Sequence, residues 1–105
     1  MIFINFYKNK QQEFIKFKIK GHADLNKDDL KNKLICAGCS AIIFGTVNSL
    51  DNLDHNNCQI LIKDNLIEIN ILKITIQNQI LLKGLYYSLS TLQEDNYDNI
   101  KIKIG

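Results

Sequence analysis

The sequence of 105 residues contains no arginine, no proline and no tryptophan, and each of its 13 basic residues is a lysine. Arginine is the residue best suited to bidentate contacts with bases and phosphates. Its absence and a net charge of only +2 give no indication of nucleic-acid binding, so we expect no direct nucleic-acid partner. The abundance of isoleucine, asparagine and lysine, whose codons are AT-rich, is typical of an AT-rich genome and indicates no particular function.

The sequence also lacks disulfide, membrane and secretion signals. Three cysteines, at positions 36, 39 and 58, do not make a disulfide framework because their number is odd, and in a reducing compartment they stay as thiols. No apolar run approaches the roughly 18–20 residues of a membrane span, so we expect no membrane partner. The N-terminal segment MIFINFYKNK has neither the basic region nor the cleavage site of a signal peptide. We therefore expect a cytoplasmic protein.

Two hydrophobic periods predict the fold. Alternating isoleucine and lysine, as in the stretch 15–20, predict strands with one buried face, and apolar residues spaced by three or four predict helices. The β-β-α-β-β-α-β order predicts an α+β fold of two layers, with two helices on a mostly antiparallel five-stranded sheet. The length predicts a single domain, residues 1–105. The predicted elements are strands 1–8 and 13–20, a helix from about Cys36 to Leu50, strands 58–63 and 66–71, a helix from about Ile74 to Glu94, and a strand in 98–105.

The stretch from Gly21 to Asn48 carries the residues suited to catalysis. His22 follows the second predicted strand, and Cys36 is predicted to open the first helix. A thiol at a helix start is favoured as thiolate by the helix dipole, and a neighbouring histidine can act as its base. The polar segment 24–33 between them is predicted to be a solvated loop, a role compatible with that of a lid over substrate.

Other roles for the cysteines stay open on this reasoning, including buried or incidental thiols that carry no chemistry. Cys36 and Cys39 form a C-x-x-C motif, as in thioredoxin-like redox pairs, although a charged segment precedes it where those proteins have a strand. A structural zinc ion would draw on the cysteines and histidines, but only one ligand pair is compact, so we expect no metal and no cofactor. Cys58 begins an apolar strand and is expected in the core, and His55 is expected to face solvent.

The motif that starts at Gly21 is similar to that of the ribosomal-processing cysteine protease (Prp) family. The matching residues are Gly21-His22-Ala23, Cys36-Ala37-Gly38-x-Ser40-Ala41 and Phe44-Gly45-x-Val47-Asn48, and the similarity extends over nearly the whole chain. The resemblance implies that His22 is the catalytic histidine and Cys36 the nucleophile, with Ser40 matching a serine one helical turn later.

The chain departs from that family in the segment before the cysteine, which is longer than usual. The family has glycine and aspartate in a G-x-D-x-x-C pattern, whereas this chain has Lys31 and Lys33 at those places. If the aspartate orients the histidine, Asp28 or Asp29 would have to replace it, or the pair would work as a bare dyad.

The resemblance implies a small homodimeric cysteine endopeptidase that removes the N-terminal extension of large-subunit ribosomal protein twenty-seven. The family's substrates carry a hydrophobic stretch with paired aromatics before the cut, so an apolar groove is expected beside the His22–Cys36 pair. The mechanism would be acyl transfer, with backbone N–H groups of Ala37 and Gly38 as oxyanion donors. The alternatives are a non-catalytic ribosome- or partner-binding module whose lysine strands face RNA, and a CxxC redox protein.

Overall fold

The computed structural model of the protein describes residues 1–21 and 30–105, so the segment 22–29, with His22, Asp28 and Asp29, lies outside the described residues. In the described part the strands and helices follow the predicted order, which confirms the α+β prediction. A short 3-10 helix, His55–Asn57, joins the first helix to the third strand. The strands are β1 (Ile2–Lys8), β2 (Phe14–Gly21), β3 (Cys58–Lys63), β4 (Leu66–Ile71) and β5 (Ile100–Ile104), and the helices are α1 (Leu30–Asp54) and α2 (Ile76–Glu94).

The sheet has the strand order β3-β4-β2-β1-β5 and is mixed. The β1–β2, β2–β4 and β3–β4 pairs are antiparallel, as predicted for most of the sheet, whereas β1 and β5 are parallel. Parallel neighbours cannot be joined by a tight turn, and here the whole intervening chain separates the two strands in sequence. In this strand order β2 is the central strand, and β3 and β5 form the two edges.

The core lies between one face of the sheet and the two helices. Alternate residues of β1, including Ile4 and Phe6, are fully buried, while Phe3 between Ile2 and Ile4 is 46% exposed. The Phe6 ring packs against Phe14, Phe17 and Tyr86 at centroid distances of 5.3, 5.0 and 5.4 Å. The alternation shows that the helices cover one face only, and the opposite face is open to solvent.

Helix α1 begins at Leu30, about two turns before the predicted start at Cys36. The described part of the predicted loop, residues 30–33, is therefore helical, and that part of the loop prediction is wrong. Leucine and lysine are good helix formers, so the polarity of the segment does not prevent a helix. Packing also fixes this turn, because Asn32 is buried and accepts a hydrogen bond from Asn99 Nδ2 at 3.0 Å.

The length of α1 has a further consequence. With the 3-10 turn it forms a helix, Leu30–Asn57, that by length and composition alone is apolar enough to cross a membrane. The helix predicted from the sequence, about Cys36 to Leu50, was shorter than this one because its start was placed too late. In the structure one face of α1 packs into the core, where Ile35, Cys39, Ile43 and Leu50 meet the sheet and α2, while 22% of the apolar window is buried.

A buried carboxylate, Asp54, joins the end of α1 to the start of α2. It accepts hydrogen bonds from Thr75 Oγ1 at 2.6 Å, Asn57 Nδ2 at 2.7 Å and Asn78 Nδ2 at 2.8 Å. Thr75 caps α2 and forms a capping box with Asn78. The Thr75 hydroxyl, followed by the Asn57 and Asn78 amides, lowers the pKa of Asp54, although burial opposes the shift. The network therefore fixes the relative position of the two helices.

Replacing Asp54 by alanine should lower the free energy of unfolding by about 2 kcal/mol, because the Thr75 and Asn78 donors lose their buried acceptor. Urea unfolding measured by circular dichroism would test this. The control is Asp51→Ala on the same helix, which removes only an exposed pair with His55 and should change stability by less than about 0.5 kcal/mol.

The pH dependence provides a second readout of the same carboxylate. Its folded-state pKa lies below the ordinary 3.8, so its stabilisation is present above that value and is lost as pH falls through the lowered pKa. The stability difference between wild type and Asp54→Asn should therefore shrink as pH falls from about 5 to about 2.5. An unchanged difference would show that the charge of Asp54 is not what stabilises the network.

Candidate active site

A cavity of about 190 Å³ lies between α1 and the end of the sheet where β2 terminates. Cys36 and Ser40, one helical turn apart, both line it from α1. The opposing wall is mostly apolar. Besides these two residues the lining consists of Ile2, Ile19, Gly21, Cys39, Ile43, Phe44, Ile62, Lys63, Asn65, Leu66 and Ile67.

The geometry brings together some of the predicted site residues and separates others. Cys36 is half-buried and packs against the core, and Ser40 is exposed at the cavity. Ala37 is exposed but is not part of the cavity lining, and neither is Gly38. Gly38 instead faces α2, since a Cβ there would lie 3.3 Å from Leu92 Cδ2. Its small size therefore serves the packing of the two helices.

The prediction that Cys36 lies at a helix N-terminus is wrong, because six residues of α1 precede it. The favourable effect of the helix dipole decays within the first turn, so it contributes little at Cys36. Backbone N–H groups inside a helix also donate to the carbonyl four residues earlier. In the described conformation the N–H groups of Ala37 and Gly38 are therefore engaged within α1.

Gly21, the residue before His22, ends β2 at the wall of the cavity. Its φ of +91° is in the left-handed region, and a Cβ would lie 2.5 Å from the carbonyl oxygen of Met1. Only glycine fits this backbone without displacing β1. Its N–H donates to the carbonyl oxygen of Asn65 at 3.3 Å, which links the end of β2 to the β3–β4 turn. His22, Asp28 and Asp29 themselves lie outside the described residues.

The three thiols differ in environment. Burial, followed by the nearby Cys36, raises the pKa of Cys39 to about 11. Burial, followed by the carboxylate of Asp54, raises the pKa of Cys58 to about 11 as well. Cys39 and Cys58 are therefore almost entirely protonated at neutral pH and are poor nucleophiles. Cys36 lacks the deep burial of Cys39 and faces the cavity.

The second histidine of the chain is remote from the cavity. His55 follows the last residue of α1, about 27 Å along the helix from Cys36. It is exposed, as predicted, and its Nδ1 lies 2.7 Å from Asp51 Oδ1. Within residues 1–21 and 30–105, no three His, Cys, Asp or Glu side chains come together as candidate metal ligands.

The sequence did not predict that the β3–β4 hairpin would line the cavity. Ile62 and Lys63 from β3 and Asn65 from the turn contribute to the lining. Alternation within β3 indicated that Ile62 and Ile60 share a face, but which neighbour that face meets depends on the strand order. The pairing of β4 with β2 places this hairpin next to Gly21.

Comparisons with known proteins agree with this geometry. The family model described as cysteine protease Prp matches residues 1–101. Two curated relatives, each named ribosomal processing cysteine protease Prp and from Staphylococcus aureus strains Mu50 and NCTC 8325, are 29% identical and cover 97% of both chains. A crystal structure of the S. aureus essential ribosomal processing protease Prp with a covalently linked product peptide superposes with a TM-score of 0.89, at 26% identity and full coverage of both chains. A second one, with a substrate peptide, has a TM-score of 0.84 at 24% identity and full coverage, a likeness of fold.

The thiol environments predict a labelling order. Iodoacetamide at pH 7.5 should modify Cys36 first, because a thiol of pKa about 11 is only about 0.03% thiolate at that pH. Cys39 and Cys58 should react at least about 100-fold more slowly than an ordinary exposed thiol. Peptide mapping by mass spectrometry measures the order, and urea should make all three rates similar. Labelling of Cys39 as fast as Cys36 in the folded protein would contradict the burial argument.

Proposed function

This chain belongs to the cysteine protease Prp family, and we propose that it removes the N-terminal extension of large-subunit ribosomal protein twenty-seven. The protein is a cysteine protease, as its family and relatives are. Support for the substrate comes from the names of the curated relatives, ribosomal processing cysteine protease, and from the apolar cavity. The observation that carries the proposal is the position of Cys36 in that cavity, next to the strand end that leads to His22.

Cys36 is the proposed nucleophile. It is half-buried and lines the cavity, whereas the thiols of Cys39 and Cys58 are held protonated by burial. In the proposed reaction the Cys36 thiolate attacks the scissile carbonyl and expels the amine of the C-terminal product. Water then hydrolyses the thioester to release the N-terminal product and regenerate the thiol.

His22 is the proposed base. The chain contains two histidines, and His55 is at the far end of α1 from Cys36. His22 follows Gly21, whose backbone lines the cavity that Cys36 also lines. His22 would take the proton of the Cys36 thiol and return it to the leaving amine. Asp28 or Asp29 is the proposed orienting carboxylate, and Ser40, one turn beyond Cys36 in the cavity, is a proposed contact for the peptide.

The oxyanion donors are proposed for a conformation other than the described one. The N–H groups of Ala37 and Gly38 can donate to a tetrahedral intermediate only if α1 begins near Cys36, because an intact helix engages them. The turns to be opened, Leu30 to Ile35, have two leucines, Leu30 and Leu34, that are 70% and 62% exposed. Opening would expose little further apolar surface at these two positions, but it would break the hydrogen bond of Asn32 with Asn99 and expose the buried Ile35.

The substrate is proposed to place its aromatic residues against the apolar wall of the cavity. Phe44 on α1 and Ile62 on β3 are 46% and 52% exposed at that wall. Exposed apolar side chains around a cavity gain from burial by an apolar ligand, at about 25 cal/mol per Å². We also propose a cytoplasmic homodimer, for which the support is the family resemblance.

Replacing Cys36 by alanine should lower kcat/KM at least about 1,000-fold on a peptide that spans the extension, because the nucleophile is lost. His22→Gln should have a similar effect through loss of the base. The matched controls Cys39→Ala, Cys58→Ala and His55→Gln should keep most activity. Separation of the cleaved peptides by mass spectrometry measures the rate, and equal losses from Cys36→Ala and Cys39→Ala would favour redox chemistry instead.

A second prediction tests the apolar wall. Ile62→Asp should raise KM about tenfold for the aromatic peptide, since a charge replaces an apolar contact worth about 1–2 kcal/mol. Leu61→Asp is the control, because Leu61 is the neighbouring residue on the opposite face of the same edge strand. Replacing the aromatics of the peptide by alanine should remove the difference between the two variants. Equal KM values with the aromatic peptide would show that β3 does not contact it.

A further inference from the structure

The open face of the sheet carries lysines from three of the five strands, β2, β3 and β5. Strand register places Lys20 and Lys101 on either side of Phe3, and Lys18 and Lys103 on either side of Asn5. Lys16 pairs with Tyr7 on the same face. Leu66 of β4 pairs with Lys20 on one side and with Lys63 of β3 on the other, so Lys63 is on this face as well. We call this surface the lysine face, and its basic residues are Lys16, Lys18, Lys20, Lys63, Lys101 and Lys103.

The negative charges of the described residues lie almost entirely elsewhere. Glu68 of β4, between Leu61 and Lys18 in the sheet, is the one carboxylate that the register places on the lysine face within the described strands. Its oxygens lie 4.0 Å from Lys16 Nζ and 3.7 Å from Lys18 Nζ. The small net charge of +2 for the whole chain therefore conceals a strongly basic face.

Protection of sheet edges does not explain the arrangement. Lysines on edge strands prevent pairing with other chains, which accounts for Lys63 on β3 and for Lys101 and Lys103 on β5. β2 is the central strand, however, and its three lysines occupy the middle of the face. Like charges gathered on one surface repel each other and destabilise the free protein, so an anionic partner is the simplest reason for them.

An exposed aromatic ring lies within this basic surface. Phe3 is 46% exposed, although it is in the second strand from the β5 edge and has a lysine on each neighbouring strand. Tyr7 lies on the same face about 13 Å further along β1, and its ring is covered by Lys16 Nζ at 5.6 Å. An aromatic platform between lysines suits a stacked base with phosphates on both sides.

We propose that the lysine face binds single-stranded RNA, through phosphate contacts of the lysines and stacking of a base on Phe3. Lysine is a point charge and does not read bases in the bidentate manner of arginine, so binding is independent of sequence and strongly salt-dependent. The surface is on the opposite side of the sheet from α1 and Cys36. Lys63 also borders the cavity, but the other five lysines of the face do not line it, so RNA bound to them leaves the cavity open. This would let the protease stay on an RNA-containing substrate particle during cleavage.

The test uses fluorescence anisotropy with the whole protein and a fluorescein-labelled oligouridine of about 12 nucleotides. Affinity should fall steeply between about 50 and 200 mM salt. Lys101→Gln/Lys103→Gln should reduce the slope of log affinity against log salt by about 1.4, because each lost phosphate contact in single-stranded nucleic acid contributes about 0.7. The matched control is Lys73→Gln/Lys83→Gln, which removes the same charge from residues outside the strands and should leave the slope nearly unchanged.

A third variant separates stacking from charge. Phe3→Leu should weaken binding about fivefold or more while leaving the salt slope unchanged, because it removes the ring and no charge. All three variants should cleave the short peptide at wild-type rates, so loss of RNA binding and loss of protease activity are distinguishable. Circular dichroism confirms that each variant is folded.

Four results would overturn the proposal. One is no RNA binding at low salt, and another is an equal loss of slope in the control pair. A third is binding of vesicles with anionic lipids without binding of RNA. The last is a change in oligomeric state caused by Lys101→Gln/Lys103→Gln with no change in RNA affinity, which would assign the face to contacts between copies of the chain.

Discussion

The burial of a single face of the sheet is the constraint on which the other features depend. Phe6, Phe17 and Ile69 are completely buried because α1 and α2 lie over that face. The cavity forms at the margin of this interface, where α1 extends past the end of β2. Lysines are tolerated on the remaining face because none of the described helices covers it. Because the helices pack on one face only, the protein has two different sides. One side is apolar and carries the Cys36 thiol, and the other is basic.

The proposed nucleophile, Cys36, is part of a helix that packs one of its faces into the core. Cys36 is one turn from Cys39 and two turns from Ile43, which are both buried. Side chains in a packed core change position little, so α1 holds the thiol in place without help from neighbouring loops. The histidine is different, since it follows a strand end. The chain that leads to the proposed base is anchored as far as Gly21, whose N–H donates to the carbonyl oxygen of Asn65.

The order of helices and strands could be predicted from the sequence, whereas the start of α1 and the order of the strands in the sheet could not. Period-two alternation is strong in β2 and β5, so the strands could be predicted. The buried face of β2 differs from the alternation at Ile15, which is exposed because the register shifts there. The start of α1 could not be predicted, because the polar residues 30–33 resemble a loop unless the buried contact of Asn32 with Asn99 is known. The parallel β1–β5 pair and the approach of the β3–β4 hairpin to Gly21 depend on strand order, which composition does not encode. The lysine face could not be predicted either, because the net charge does not show how the charges are distributed among the strands.

The parallel pairing of β1 and β5 also determines where foreign sequence can be attached. The carbonyl of Met1 packs against Gly21 at the cavity end of the sheet, whereas Gly105 bonds to Phe6 and Lys8 towards the other end of β1. Parallel strands place these two chain positions about 16 Å or more apart. A purification tag or fluorescent fusion joined after Gly105 would emerge away from Cys36. The same addition before Met1 would lie close to the cavity, which Ile2 and Gly21 line.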